Sequence, residues 1–210
     1  MRHSPKHAVT DVAVVRRLIE EHPWATFVSQ TDEGLVASHY AVLLDEGLEG
    51  DDLAVVLHVG RPDDRIHQFA AGRELLMIVQ GPHGYISPSW YSPGSVRAPT
   101  WNFSTAHCYG TPQVMSDEEN RDALARLVAH FEQHVEEPMW LEDDVAAKLA
   151  PGTVGIRLPI ERFICKVKMS ADKDEQSQRS VLAQLRGDGP YASAALAADM
   201  ERALAEAAER

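Results

Sequence analysis

"WATFVSQTDEGLVASHYAVLL", residues 24 to 44, is the stretch whose reading decides the fold. Two arms rich in β-branched and aromatic residues, 24 to 30 and 35 to 44, flank the polar link "TDEG" at 31 to 34. That pattern predicts a β-hairpin, with Gly34 supplying the positive φ that such links often require. Upstream, Val12, Val15, Leu18 and Ile19 recur at helical spacing behind Thr10, so residues 11 to 22 read as an amphipathic helix ending before Pro23. Downstream, the acidic loop "DEGLEGDD" (45 to 52) leads into "LAVVLHV" (53 to 59), an apolar run suited to a strand buried on both faces. A helix over 63 to 71, closed by Gly72, and a strand "ELLMIVQ" over 74 to 80 follow.

The second half continues in the same style. Residues 100 to 115 read as a long strand, broken by a bulge or an edge at Gly110 and Pro112. Ser116 and Glu119 form a capping box for a helix whose stripe is Leu124, Leu127, Val128, Phe131 and Val135. Strands are expected at 153 to 160 and 163 to 169, joined by "PIER", then helices at 174 to 186 and 190 to 208. Hairpin-like links outnumber βαβ crossovers, which predicts an α+β chain, mainly antiparallel β, built as a barrel with flanking helices.

The chain has 210 residues, 44% of them hydrophobic, enough for one sizeable core. Its 20 Lys plus Arg against 32 Asp plus Glu leave a net charge of −12, which repels nucleic-acid and anionic lipid surfaces. Direct DNA binding is therefore not expected. No window approaches the ~18 apolar residues of a membrane span, and "MRHSPKHAVTD" has no apolar signal region, so a cytoplasmic protein is expected. Cys108 and Cys165 lack metal-type spacing and read as buried, reduced thiols.

Ten histidines offer several candidates. His130 and His134 stand at i, i+4, but "HFEQH" is not H-E-x-x-H, and an exposed pair is the expectation. His3 and His7 lie in an unpatterned segment. His58 falls inside the apolar run "VVLHVGRP", where a buried imidazole needs a hydrogen-bond partner or a ligand. Gly60 and Arg61 follow at the strand end, where a guanidinium can grip phosphate. In "GYISPSWYSPGSVRAPTWNF" (84 to 103), Ser87, Ser89 and Thr100 offer hydroxyls. Tyr85, Trp90, Tyr91, Trp101 and Phe103 either wall a planar ligand or fill the core while Pro88, Pro93 and Pro99 shape the loop. In "CKVKMSADK" (165 to 173), alternation puts Lys166 and Lys168 on one strand face with Ser170 beyond, either an anion site or a solvated face. As general acids or bases, His58, His83, His107 and Tyr85 are candidates by chemistry alone.

"GPHGYISPSWY" followed by "APTWNFSTAHCYG", with "HVGR" upstream, "KMSADK" downstream, and the opening "SPKH" and "EHPWATFVS", resembles the PaiB family of FMN-binding negative transcriptional regulators. The resemblance runs in order from about residue 4 to 187. It implies an FMN-binding split β-barrel over 1 to 187, with an inserted helix at 116 to 135 and a helical extension at 188 to 210. It further implies a homodimer with the cofactor near the subunit interface, and a pocket lined by His58, Gly60, Arg61, Ser87, Ser89, Thr100, Trp101, Lys168 and Ser170. The ending departs from the "KLSQNR" type, placing Ala171, Asp172 and Lys173 where Gln, Asn and Arg are common. "HVGRPDD" likewise lacks an asparagine-proline pair. The role implied is regulatory or accessory to flavin chemistry. The alternatives are a flavin-dependent oxidoreductase, or a haem b enzyme like the piperazate synthases that resemble this family, with His58 as the iron ligand.

Overall fold

The hairpin forms as its sequence dictates. In the computed structural model, β2 (Trp24–Thr31) and β3 (Gly34–Ala41) pair antiparallel from Trp24↔Ala41 to Thr31↔Gly34. Asp32 and Glu33 make the two-residue link, Gly34 takes φ +117°, and the Thr31 hydroxyl accepts from Glu33 N at 3.2 Å while donating to Gly34 O at 2.8 Å. Strict alternation in β2 buries Ala25, Phe27, Ser29 and Thr31 on one face. The structure describes residues 4–46, 48, 50–94 and 98–208; His3, and Gly47 and Glu49 of the acidic loop, lie outside them.

The chain divides into two units. The hairpin unit comprises Asp11–Val79 and Ala106–Phe163. Its helix α1 (Val12–Glu21) is capped by Asp11, one residue later than Thr10, because the Asp11 carboxylate accepts from Ala13 N at 2.9 Å. β4 (Leu43–Leu44), β5 (Ala54–Gly60), β9 (Thr153–Pro159) and β8 (Gln113–Val114) lie in the order β4-β5-β9-β8, all antiparallel. As expected of its apolar run, β5 buries Ala54, Val55, Val56 and Leu57 consecutively. The expected helix at 63 to 71 is interrupted. Only α2 (Asp63–Ile66) is α-helical, and Gln68 at φ +54° breaks it before a single 3-10 turn at Phe69–Ala71 closed by Gly72. α3 (Asp117–Glu132) has the full Ser116/Glu119 capping box and packs Leu127 against Leu43 and Val56. A further helix, α4 (Asp143–Leu149), was not anticipated from the sequence.

The terminal unit comprises Met1–Thr10, Gln80–Thr105 and Ile164–Arg210. It contains β1 (Ala8–Val9), parts of β6 (Leu75–Ile86), β7 (Thr100–Gly110) and β10 (Arg162–Lys168), and the helices α5 (Glu175–Arg186) and α6 (Ala194–Ala208). The strand order is β1-β10-β7-β6, with β1 pairing antiparallel to β10 through Ala8↔Lys166. β6 runs well past residue 80, so Gly84, Tyr85 and Ile86 of the aromatic motif are strand, and only Pro88–Trp90 forms a 3-10 turn. Gly84 is needed there for space. A Cβ at this position would meet Leu196 Cδ2 at 2.8 Å, so α6 seats on bare backbone. Ile86, Tyr91, Met169, Val181, Leu185, Leu196 and Met200 make one core, so Tyr91 is a core ring while Trp101 is 54% exposed.

Candidate functional site

A cavity of about 190 Å³ opens within the terminal unit. Its walls come from four segments: the N-terminal turn with Lys6, Tyr91 after the 3-10 turn, the start of β7 with Thr100 and Asn102, and the end of β10 with the turn beyond it, carrying Lys168, Ser170, Asp172 and Lys173. Alternation along β7 turns Thr100 and Asn102 inward and Trp101 outward. Ser170 stands at φ +58°, and its hydroxyl donates to Asn102 Oδ1 at 3.1 Å and accepts from Asn102 Nδ2 at 2.9 Å. With Asn102 wholly buried and Ser170 3% exposed, this reciprocal pair locks the turn to the strand.

The cavity is cationic. Lys168 Nζ donates a short hydrogen bond to Thr100 Oγ1. Burial chiefly, then the neighbouring charges of Lys166, Lys6 and Lys173 against the opposing pull of Asp172, hold the Lys168 ammonium below its ordinary range. Lys6 Nζ bonds Asp172 Oδ2 at 2.6 Å, and Lys173 Nζ lies 5.2 Å above the Tyr91 ring. Burial pushes the Asp172 carboxyl up, but Lys6, Lys173 and His7 together outweigh it, and the net shift is downward.

Tyr91 is 4% exposed and lines this cavity, yet its hydroxyl has no hydrogen-bond partner among the described residues. Ser170 is near enough to act on Tyr91, but the one proton of the Ser170 hydroxyl goes to Asn102 Oδ1. Burial, then Asp172, pushes the Tyr91 phenol up, so it remains a neutral donor. A buried donor without an acceptor, next to clustered ammoniums, is the arrangement an anion completes.

Of the nine predicted site residues, the structure gathers Thr100, Lys168 and Ser170 here. Ser87 and Ser89 belong to the same unit but hydrogen-bond each other at 2.8 Å, Ser87 capping the 3-10 turn. Trp101 meets Tyr85, their ring centroids 6.4 Å apart, and Tyr85 in turn meets Tyr191 at 4.9 Å. His58, Gly60 and Arg61 belong to the hairpin unit. There Arg61 borders a smaller cavity of about 110 Å³, close to Asp64 at 3.6 Å. His58 is opposite Gly155 in the ladder, and its Nδ1 is buried without a partner among the described residues. Burial holds the His58 imidazole below its ordinary range. His130 and His134 are 6.3 Å apart, and among the described residues no group of three metal-ligating side chains forms. Cys108 and Cys165 are buried and form no disulfide.

Lys6, Asn102, Asp172 and Lys173 also line the cavity without having been predicted to, and Tyr91, expected either to wall a ligand or to fill the core, does both. Asn102 was accessible through its period-two relation to Thr100. Lys6 depends on the non-local pairing of β1 with β10, for which the sequence carries no local signal.

Antiparallel sheets with flanking helices make the fold a split β-barrel. The chain belongs to the family described as "Putative FMN-binding domain", which matches residues 1–162. The "Protease synthase and sporulation protein PAI 2" of Bacillus subtilis (strain 168) is 28% identical over 189 residues, covering 88% of this chain and 89% of that protein, which bears out the PaiB resemblance. Among solved structures, the flavocytochrome Anf3 of Azotobacter vinelandii shares the fold at 16% identity and TM-score 0.62, over 80% of this chain and 72% of that one. The FAD and haem binding protein of Mycobacterium smegmatis does so at 20% identity and TM-score 0.58, over 77% and 73%. No helix among the described residues is long and apolar enough to cross a membrane.

Proposed function

We propose that the chain binds FMN and that the terminal-unit cavity takes the cofactor's phosphate. The observation carrying this is the convergence of Lys6, Lys168 and Lys173 on one cavity that the Thr100 and Ser170 hydroxyls also line, with the buried Tyr91 hydroxyl unpartnered among the described residues beside it. Clefts that enclose a whole ligand run to roughly 300–1,000 Å³. At about 190 Å³ this one is sized for a phosphate, not for an entire flavin. Lys168 and Lys173 would neutralise the phosphate, with Thr100, Ser170 and the Tyr91 hydroxyl completing its hydrogen bonds. FMN, once bound, supplies electron transfer. Ser87, Ser89 and Trp101 are proposed as further contacts in the same unit. For His58, Gly60 and Arg61 we propose a separate role at their own strand end in the hairpin unit.

The role we infer is regulatory or accessory, exercised by a cytoplasmic homodimer through metabolism instead of direct DNA contact. The net charge of −12 supports that last point, since phosphate backbones are repelled. Titration with FMN, followed by quenching of flavin fluorescence, should give saturable binding that weakens about tenfold or more in Lys168→Ala. Absence of binding by the intact chain would remove the proposal.

A second reading, haem b held by His58, has one observation in its favour. Burial holds the imidazole below its ordinary range and so favours the neutral form, the state that binds iron, and its Nδ1 lacks a partner among the described residues. A Soret band on adding haemin that disappears in His58→Ala supports it; a band unchanged in that variant takes His58 out of the role.

A further inference from the structure

Asp172 is the acid among the residues lining the cavity, set against Lys6, Lys168 and Lys173, so the lining carries three positive charges and one negative, a net of +2. Its carboxylate accepts from Lys6 at 2.6 Å and lies 4.0 Å from Lys173. Both sides of that contact rest on ordered backbone. Lys6 belongs to the 3-10 turn Pro5–His7, fixed by the Ala8↔Lys166 pairing that follows it. Asp172 belongs to the turn in which Lys173 N donates to Ser170 O at 3.0 Å and Gln178 Nε2 donates to Lys173 O at 2.8 Å. The carboxylate therefore already holds ammoniums that a phosphate entering the cavity would need.

We propose that Asp172, tethered by Lys6, is an internal competitor for the anion this cavity binds, so that an entering phosphate must take Lys6 and Lys173 from the carboxylate. The inference rests on the phosphate reading above and deepens it. Asp172 thereby sets the affinity for phosphorylated ligands without touching their uncharged parts. Replacing the carboxylate by an amide keeps shape and hydrogen-bonding capacity while raising the net lining charge from +2 to +3.

The test is Asp172→Asn in the full chain, titrated with FMN, riboflavin and inorganic phosphate. FMN and phosphate should each bind about tenfold tighter, the order expected from one charge a few ångströms away in a partly exposed site. Riboflavin, which lacks the phosphate, should bind as it does to the parent chain. Lys6→Ala should weaken FMN binding more in the Asp172→Asn background than in the parent, where the cost of breaking the Lys6–Asp172 pair offsets what Lys6 gives the phosphate. Phosphate affinity within twofold of the parent, no phosphate binding to either chain, or an equal gain for riboflavin overturns the competitor role. If FMN fails to bind while phosphate binds and tightens in Asp172→Asn, the FMN proposal falls and the competitor role stands.

Discussion

Replacing Ser170 by alanine removes both halves of the reciprocal bond with Asn102, the 2.9 Å bond accepted and the 3.1 Å bond donated. Asn102 is wholly buried, and among the described residues its side chain would keep only a 3.8 Å contact from Nδ2 to Met200 Sδ. Its Oδ1 would be left without a donor. Leaving a buried amide oxygen unsatisfied costs about 1–3 kcal/mol, and Ser170→Ala should destabilise the chain by that amount. The φ of +58° supplies an internal control. Glycine also loses the hydrogen bonds but adopts the left-handed region without a Cβ penalty, so Ser170→Gly should lose about 0.5–1 kcal/mol less than Ser170→Ala. Urea unfolding reports both values, with an unchanged denaturant slope certifying a change in stability alone. Because Ser170 lines the cavity, both variants should also bind FMN more weakly. A loss below about 0.5 kcal/mol in Ser170→Ala, or a greater loss in Ser170→Gly, would refute the reasoning.

Gly84→Ala should cost about 1–3 kcal/mol, because the new methyl would sit 2.8 Å from Leu196 Cδ2. Combining it with Leu196→Ala should cost less than the sum of the two single changes, and additivity in urea midpoints would count against the close approach. Tyr91→Phe should leave the ligand-free chain as stable or up to about 1 kcal/mol more so, since a buried hydroxyl without a partner is removed, while FMN affinity drops about threefold to tenfold. His7, His58, His67 and His107 all lie below the ordinary imidazole range, burial being the main cause for each. Depressed folded-state values mean that the unfolded chain binds protons first, so stability should rise with pH from about 5.5 to 7.5. His67→Gln should flatten that rise, because His67 is buried between the Ser29 and Ser38 hydroxyls at 2.8 Å each. A flat or falling profile in the parent chain would contradict it.

The elements legible in the sequence are those whose signal is local. The 24 to 44 hairpin, the apolar run of β5 and the capping box of α3 each carry periodicity or turn chemistry within a dozen residues, and each formed where expected. The strand expected at 74 to 80 runs on as β6 to Ile86. The physical reason for Gly84 lies on α6, more than a hundred residues away, where Leu196 needs the space. Gln68 ended α2 early through a left-handed turn that its residue type does not announce.

The cavity divides along the same line. Lys168 and Ser170 were visible through their place in "CKVKMSADK", and Thr100 through its block, because strand alternation is a local rule. The same rule, applied one residue further, separates Trp101 from Thr100 and brings Asn102 in its place. Aromatic composition drew attention to Trp101, yet period two sends it to the opposite face of β7, where it meets Tyr85. Asp172 reads from sequence only as a lost amide at the end of a basic motif. Its role depends on Lys6, delivered by the two-residue β1 strand, and a pairing that short leaves no periodic trace. The most informative residue of the site was therefore the one whose partner is farthest away in the chain, and the charge it contributes is what the Asp172→Asn titration measures.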